Sequence, residues 1–400
     1  MCYIILHIGI RFIEKVGMKV LKTVELFAGI GGFRIAAEQN GLETVWANDI
    51  DPIAVKVYKD NFGCDSIIEG DIYYHLDSIP DHDILTGGFP CQPFSKAGKK
   101  QGIADYRGTL FEVIVNILSK KHPKYFILEN VNSLLYMDNG RHFRTILLAL
   151  SSLDYKVEWK VFNAASFGLP QHRERVIIVG SKECDFNHSY FLEEHLLQSI
   201  SPDTLDTIAR YNQWTPIEQS RNKFETWGMA KNGYFISADM KEQQIFPAVK
   251  LIDILEDNVP ASFDFTEDTL HRIESSQYVN KFYNGVQILY NQAGGARMGY
   301  TIFGVEGIAP TLTASTSRHY ERYKVGETYR RLTNIEYARI QGFSDAHCNA
   351  TTPYNQYKLY GNAVPPRIIS YVIKKIINGV QCKIEKQTLS IFDMLDQMED

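Results

Sequence analysis

Leu21-Lys22-Thr23-Val24-Glu25-Leu26-Phe27-Ala28-Gly29-Ile30-Gly31-Gly32 is the stretch on which the fold turns. Its β-favouring residues run into a glycine cluster, and the amphipathic segment Phe33 to Asn40 follows, so a strand, a tight turn and a helix are expected in that order. The unit recurs. Thr44 to Asn48 precedes Ile53 to Phe62, Ile67-Ile68 precedes the run from His82 to Phe89, and a helix from about Leu110 to Lys120 precedes Tyr125 to Leu128. Such alternation implies an α/β fold, a doubly wound and mostly parallel sheet with helices on both faces. Ligands of these sheets sit at the carboxyl ends of the strands, which makes the residues there the first candidates for chemistry.

At 400 residues, 44% hydrophobic and 22% charged, the chain has the makeup of a soluble globular protein with a large core and a smaller second one. The six cysteines (Cys2, Cys64, Cys91, Cys184, Cys348, Cys382) form no C-x-x-C pair. That argues against a structural zinc site and a disulfide framework, and for a reduced, cytoplasmic setting with no metal. The apolar opening Met1 to Ile10 is too short to span a bilayer and lacks a basic leader and a cleavage site, so no membrane association is expected. Residues 1–17 read as an extension ahead of Met18 or as a short packed strand. A net charge of −5 does not by itself point to nucleic acid. Locally, however, Arg318, His319, Arg322, Lys324, Arg330 and Arg331 alternate with Tyr320, Tyr323 and Tyr329, a pattern that suits either phosphate contact or a solvated charged loop.

Residues 18–185 and 350–400 are expected to form one discontinuous domain, since Val364 to Ile377, opened by Pro365-Pro366, reads as a helix packing back on the first part. Tyr155 to Phe162 and Arg175 to Gly180 are expected to pair as a hairpin. Residues 186–330, irregular and aromatic, read as a second, smaller domain, and residues 331–349 as a connecting helix or hinge.

The glycine loop suits close approach of backbone to a nucleotide-like ligand at a helix N-terminus. A dinucleotide fingerprint would need glycine at position 34, where Arg34 stands, so a nicotinamide reading is weakened. Asp49, ending the second strand, is placed for ribose hydroxyls, Ile50 for an adenine face and Asp71 for an adenine amino group. The bland readings are a tight turn for the glycines, helix caps for Asp49 and Asp51, and a turn for Asp71. Pro90-Cys91-Gln92 places a soft nucleophile at the next strand end, and Glu129-Asn130-Val131 an acid at the one after. Thiolate addition at carbon 6 of a pyrimidine makes carbon 5 nucleophilic, and a Glu129 whose pKa is raised by burial would hold a proton at ring nitrogen 3. Arg175, and Arg173 with it, would orient the ring carbonyl or the carboxyl. Cys91 alone would more commonly be a buried structural cysteine, but its prolines and the polar run from Ser95 to Thr109 describe a loop that reads as a lid.

These motifs continue in order with Gln171-His172-Arg173-Glu174-Arg175, Arg339-Ile340-Gln341-Gly342-Phe343 and Gly361-Asn362-Ala363-Val364-Pro365. As a set they resemble the cytosine-5 DNA methyltransferases, most closely those of bacterial restriction-modification systems. The likeness covers nearly all of residues 20–180 and 330–378. It implies a Rossmann-like enzyme of the bacterial cytosol that uses S-adenosylmethionine, releases S-adenosylhomocysteine, and makes a covalent adduct through Cys91. It places Glu129 at ring nitrogen 3 and Arg175 at the ring carbonyl, with Arg173 close by, the cytosine being flipped from duplex DNA. The matching cofactor positions are Phe27, Ala28, Gly29, Ile30, Gly31, Gly32, Asp49, Ile50, Asp71, Ile72, Pro90, Leu110, Asn362 and Val364. Ile50 stands where several relatives carry a larger residue.

The resemblance also makes residues 186–330 a target-recognition domain. Its expected contacts with double-stranded DNA are Arg297, a guanine reader, Thr311 and Leu312 of a threonine-leucine element, and Arg318, Arg322 and Lys324, with Ser95 from the Cys91 loop. A monomer is expected, with any cognate restriction endonuclease acting independently. The rival enzyme is a tRNA cytosine methyltransferase, disfavoured by the long variable region. The rival non-enzyme, a DNA-binding module on the same scaffold, is disfavoured by the presence of both Cys91 and Glu129.

Overall fold

The computed structural model describes residues 20–90, 109–182, 189–192, 207–208, 210–240, 243–274, 276–291, 301–314 and 321–378. Cys91, Ser95, Arg297 and Arg318 lie outside the described residues, as do residues 1–17 and nearly all of the expected lid.

Strands β1 (Lys22–Leu26), β2 (Glu43–Asp49), β3 (Ile68–Glu69), β4 (Ile84–Gly88) and β5 (Tyr125–Val131) form the parallel part of a ten-stranded sheet. Strands β6 (Lys156–Asn163) and β7 (Glu174–Ser181) join it as an antiparallel hairpin, with β7 against β5. The order β3-β2-β1-β4-β5-β7-β6 puts β1 and β4 side by side although β2 and β3 lie between them in the chain. The connections therefore leave β1 in opposite directions, opening a crevice at its carboxyl end. Helices α1 (Gly32–Gln39), α2 (Pro52–Phe62), α3 (Leu110–Lys121) and α4 (Arg141–Ser151) supply the crossovers.

The large sheet extends further than the sequence suggests. Strands β8 (Thr215–Pro216), β9 (Trp227–Lys231) and β10 (Tyr234–Ala238), expected in the second domain, continue it beyond β6 in the order β9-β10-β8. The reason is packing: Trp159 of β6 is fully buried edge-on against Phe143 and Phe224, and β9 lays Gly228 where the indole leaves no room for a β-carbon. Each such large apolar side chain withdrawn from water contributes about 2 kcal/mol, enough to recruit strands too short to announce themselves. A second sheet, β11 (Gln277–Tyr283), β12 (Val286–Asn291), β13 (Thr301–Phe303), β14 (Arg322–Val325) and β15 (Thr328–Arg330), carries the rest of the region, after helix α5 (Glu267–Glu274).

The chain returns through α6 (Asn334–Gln341), capped by Thr333 with Glu336, and α7 (Pro353–Asn362), which the sequence reading did not anticipate. It ends in α8 (Pro366–Ile377), whose Ile369, Val372 and Ile373 share a core with Phe33 and Ala36 of α1. One further core joins Phe303 and Tyr323 of the small sheet, Tyr337 and Ile340 of α6, and Ile30 of the glycine loop. Among the described residues no helix is long and apolar enough to cross a membrane.

Glu25, in the middle of β1, is fully enclosed, and the Tyr58 hydroxyl donates to its Oε2 at 2.8 Å. Its Oε1 has no partner among the described residues. Burial pushes this carboxyl from 4.5 up to about 8. The fold thus keeps a proton that the unfolded chain releases, so the contribution of Glu25 to stability is fully present below pH 4.5 and is lost as pH rises towards about 8. Glu25→Gln is expected to remove this loss, so that its melting temperature gains on wild type as buffers are stepped across that interval. A constant gap across the interval would show that Glu25 ionises normally.

Candidate active site

A cleft of about 760 Å³ opens at the carboxyl ends of β1, β2, β4 and β5. It brings together Phe27, Ala28, Gly29, Ile30 and Gly32 of the loop, Asp49 and Ile50 after β2, and Asp71 and Ile72 after β3. Pro90, Leu110, Glu129, Arg173, Arg175, Asn362 and Val364 complete the expected set, and Gly31 alone of the described cofactor candidates stands off the wall.

The loop is held in an uncommon shape. Phe27 has φ 53°, left-handed for a residue with a side chain, at a cost of about 1 kcal/mol that the surroundings must hold in place. The Gly29 N–H donates to Asp49 Oδ2 at 2.7 Å, and the Asp51 N–H to Asp49 Oδ1 at 2.8 Å. Asp49 is therefore no helix cap: it braces the loop, and two backbone bonds leave a carboxylate further lone pairs for a ligand. Its pKa is raised by burial. Asp51 does cap α2, accepting from the Ile53 N–H at 2.9 Å, and pairs with Lys358 at 3.1 Å. Asp71 accepts from the Tyr73 N–H at 3.1 Å. A β-carbon on Gly32 would fall 2.3 Å from the Val364 carbonyl oxygen, so only glycine lets residues 361–364 close on the loop. Arg34 lies over the Phe62 ring at 4.6 Å and pairs with Glu38 at 2.8 Å.

This end of the cleft suits a cationic nucleoside better than a phosphate-bearing one. Asp49 and Asp71 face it, Ile50 stands 67% exposed at its rim with Ile72 buried nearby, and both arginines that line the cleft are engaged elsewhere in it. A diphosphate would meet acids with no available guanidinium, whereas a sulfonium-bearing adenosine would meet apolar faces and carboxylates.

At the other end Glu129 of β5 lies opposite Gly88 of β4 in the parallel ladder. A β-carbon on Gly88 would come within 3.3 Å of Glu129 Oε2, so the glycine keeps that oxygen accessible from the cleft. Arg175, two residues along the same face of the β5–β7 ladder, places Nε 2.9 Å from Glu129 Oε1. Glu129 is 8% exposed, and burial raises its pKa against the opposing pull of Arg175 and Arg173. The Asn130 amide donates to the Phe89 carbonyl at 2.8 Å, pinning the backbone just before Pro90. The residue after Pro90 is Cys91. A sulfur nucleophile, a proton-holding acid and an oriented guanidinium in the sequence and cleft of an adenosine-type loop suit addition to a pyrimidine and alkylation of the adduct.

Residues 21–378 match the family of C-5 cytosine-specific DNA methylases. The chain belongs to that family. It is 35% identical over 371 residues to the Type II methyltransferase M.HaeII of Haemophilus aegyptius, covering 92% of this chain and 96% of the relative. To M.HhaI of Haemophilus parahaemolyticus it is 30% identical over 367 residues, covering 91% and 96%. The fold is similar to that of the Dnmt2 methyltransferase of S. pombe, with a TM-score of 0.58, 18% identity, and coverage of 90% of this chain and 98% of that one. The Entamoeba histolytica methyltransferase EhMeth gives the same TM-score of 0.58 at 18% identity, covering 91% and 100%.

In this DNA methylase several expected contacts take other roles. Arg173, only 2% exposed, donates to the carbonyls of Leu312 (3.0 Å), Gly361 (3.2 Å) and Ala363 (3.0 Å), so it joins three segments around the cleft and acts on Glu129 through space. Leu312, expected on DNA, is 1% exposed in the core, and the Thr311 hydroxyl donates to the His172 carbonyl. Leu312 is corrected to a structural role, because residues 309–312 bond alongside residues 170–173 and turn its side chain inward, while Thr311 stays half-buried. Arg330 of the basic cluster is likewise turned inward, donating to both carboxylate oxygens of Glu336 at 2.8 and 2.7 Å, and Arg331 lies over Phe263 at 4.9 Å. Arg322 and Lys324 remain half-buried on one face of β14, over the rings of Phe265 (5.8 Å) and Tyr329 (5.9 Å). The sequence reading missed Tyr73, which lines the cleft and donates to the Thr109 carbonyl at 3.2 Å. Two adjacent tyrosines after Asp71 were the available signal.

Proposed function

We propose that this methylase transfers a methyl group from S-adenosylmethionine to carbon 5 of one cytosine in a short duplex sequence, as the modification enzyme of a restriction-modification system. The observation that carries the reading is the Glu129–Arg175 pair, set in the same cleft as the glycine loop and beside the Pro90 that precedes Cys91. When bound, S-adenosylmethionine supplies an electrophilic methyl group. Asp49, Ile50, Asp71, Ile72 and the Phe27–Gly32 backbone would hold it, with Asn362 and Val364 closing the far wall.

The target cytosine must leave the duplex for both ring faces to be reached. Cys91 adds through sulfur to ring carbon 6, and the displaced electron pair raises density at carbon 5. Glu129, its pKa raised by burial, holds a proton at ring nitrogen 3 and so takes up charge from the ring. Arg175 fixes the carboxyl and offers its guanidinium to the ring carbonyl. Once carbon 5 has taken the methyl group in a new carbon–carbon bond, loss of its proton to solvent restores the carbon 5–carbon 6 double bond and expels the Cys91 sulfur as thiolate. Arg322 and Lys324, with Arg297, Arg318 and Ser95, are assigned to DNA.

The test is incubation with methyl-labelled donor, a panel of duplexes and tRNA, followed by bisulfite sequencing. The expected product is 5-methylcytosine in one short duplex context. Label in tRNA, with every duplex blank, would reject the DNA assignment.

A further inference from the structure

The glycine loop is tied down from two directions. On the sheet side Asp49 takes the Gly29 N–H. On the opposite side His347, in the turn after α6, places Nε2 2.7 Å from the Ile30 carbonyl oxygen. A carbonyl oxygen only accepts, so Nε2 carries the proton. The imidazole is 4% exposed, set against Phe343 with ring centres 4.8 Å apart and edge-on to Phe62 at 6.2 Å. Its own backbone is gripped as well, the Asn61 amide donating to the His347 carbonyl at 2.8 Å. Phe62, next along α2, also fills the space beside Gly31. Helix α2, the glycine loop and the turn after α6 therefore meet at one buried ring.

That ring does something packing alone does not require. Ile30 stands between Gly29 and Gly31, both left-handed at φ 54° and 84°, so its peptide has little local resistance to rotation. The direction of the Ile30 carbonyl decides how the loop's remaining backbone groups face the cleft. We propose that His347 is a positioning residue for the adenosine-type cofactor, fixing the Gly29–Gly31 backbone in its ligand-ready shape through the Ile30 carbonyl. This rests on the cofactor reading above. Burial holds the imidazole below its ordinary pKa, so it stays neutral, a state in which a single ring N–H serves this bond.

His347→Phe keeps an aromatic ring and removes the donor, leaving a buried carbonyl unpaired. Its dissociation constant for S-adenosylhomocysteine, measured by calorimetry, and its KM for S-adenosylmethionine are both expected to rise about tenfold, with kcat at saturating donor little changed. His347→Gln, whose Nε2 reaches a similar point, is expected to recover most of the affinity. If His347→Phe does not fold, His347→Met serves as the donorless variant. A folded donorless variant that binds S-adenosylhomocysteine like wild type overturns the assignment. So does a loss of kcat at unchanged KM, or a glutamine variant no better than phenylalanine. Wild-type protein that takes up no S-adenosylhomocysteine rejects the cofactor reading itself, and the role of His347 with it.

Discussion

Cys91→Ala is expected to reduce methyl transfer to background while binding of S-adenosylhomocysteine and duplex DNA persists. The thiolate supplies the bond at ring carbon 6, and without it carbon 5 of cytosine is too poor a nucleophile to take a methyl group at a useful rate. The cofactor end should be indifferent to the change, because Asp49 and the glycine loop are braced by bonds that do not involve residue 91. A mechanism-based inhibitor such as a 5-fluorocytosine duplex, which traps the adduct because carbon 5 has no proton to lose, should form a covalent complex with wild type only. Denaturing electrophoresis reads that directly. Turnover by Cys91→Ala, or a trapped complex formed by it, would remove Cys91 from the mechanism.

Glu129→Gln should lower kcat by about a hundredfold to ten-thousandfold, the range for loss of a positioned general acid, with little change in KM for the methyl donor. Glutamine keeps the shape and can still donate an N–H to ring nitrogen 3, but it has no proton to yield. The pH profile separates the two functions. The Glu129 pKa is raised, chiefly by burial, so the competent protonated form persists to higher pH than for an exposed glutamate. Wild-type kcat should fall as pH rises through that raised value, and the same limb should be flat for Glu129→Gln. An identical fall in both would assign the limb to another group. Arg175 sharpens the comparison, since its pull on Glu129 Oε1 at 2.9 Å opposes burial, and removing it would raise the Glu129 value further.

Much of this site could be read along the chain. The parallel strands are short apolar runs that stop abruptly, so Asp49, Asp71, Pro90 and Glu129 were placed at strand ends without knowledge of the fold, and the structure gathers all four around one cleft. The pairing of β6 with β7 was equally legible, since two β-favouring runs lie close in sequence. Strands β8 to β10 were not. They are short, they lack a clean alternation, and their place is set by Trp159, far back in the chain.

The polar residues divide in the same way. Arg322, Arg330 and Arg331 look alike as letters in a basic run, but Arg330 meets Glu336 in the core and Arg331 meets Phe263. Leu312 was expected on DNA and is buried, while His347, in an unremarked turn, reaches the cofactor loop.

Local order thus settled the α/β class, the motif succession and the acids at the strand tips, because strand and turn preferences act over a few neighbouring residues. Long-range packing alone decided that Arg173 staples three segments, that Leu312 faces inward and that His347 meets Ile30. A guanidinium or imidazole bonds whichever carbonyls the folded chain brings within 3 Å or so, and those carbonyls belong to residues far away in the sequence.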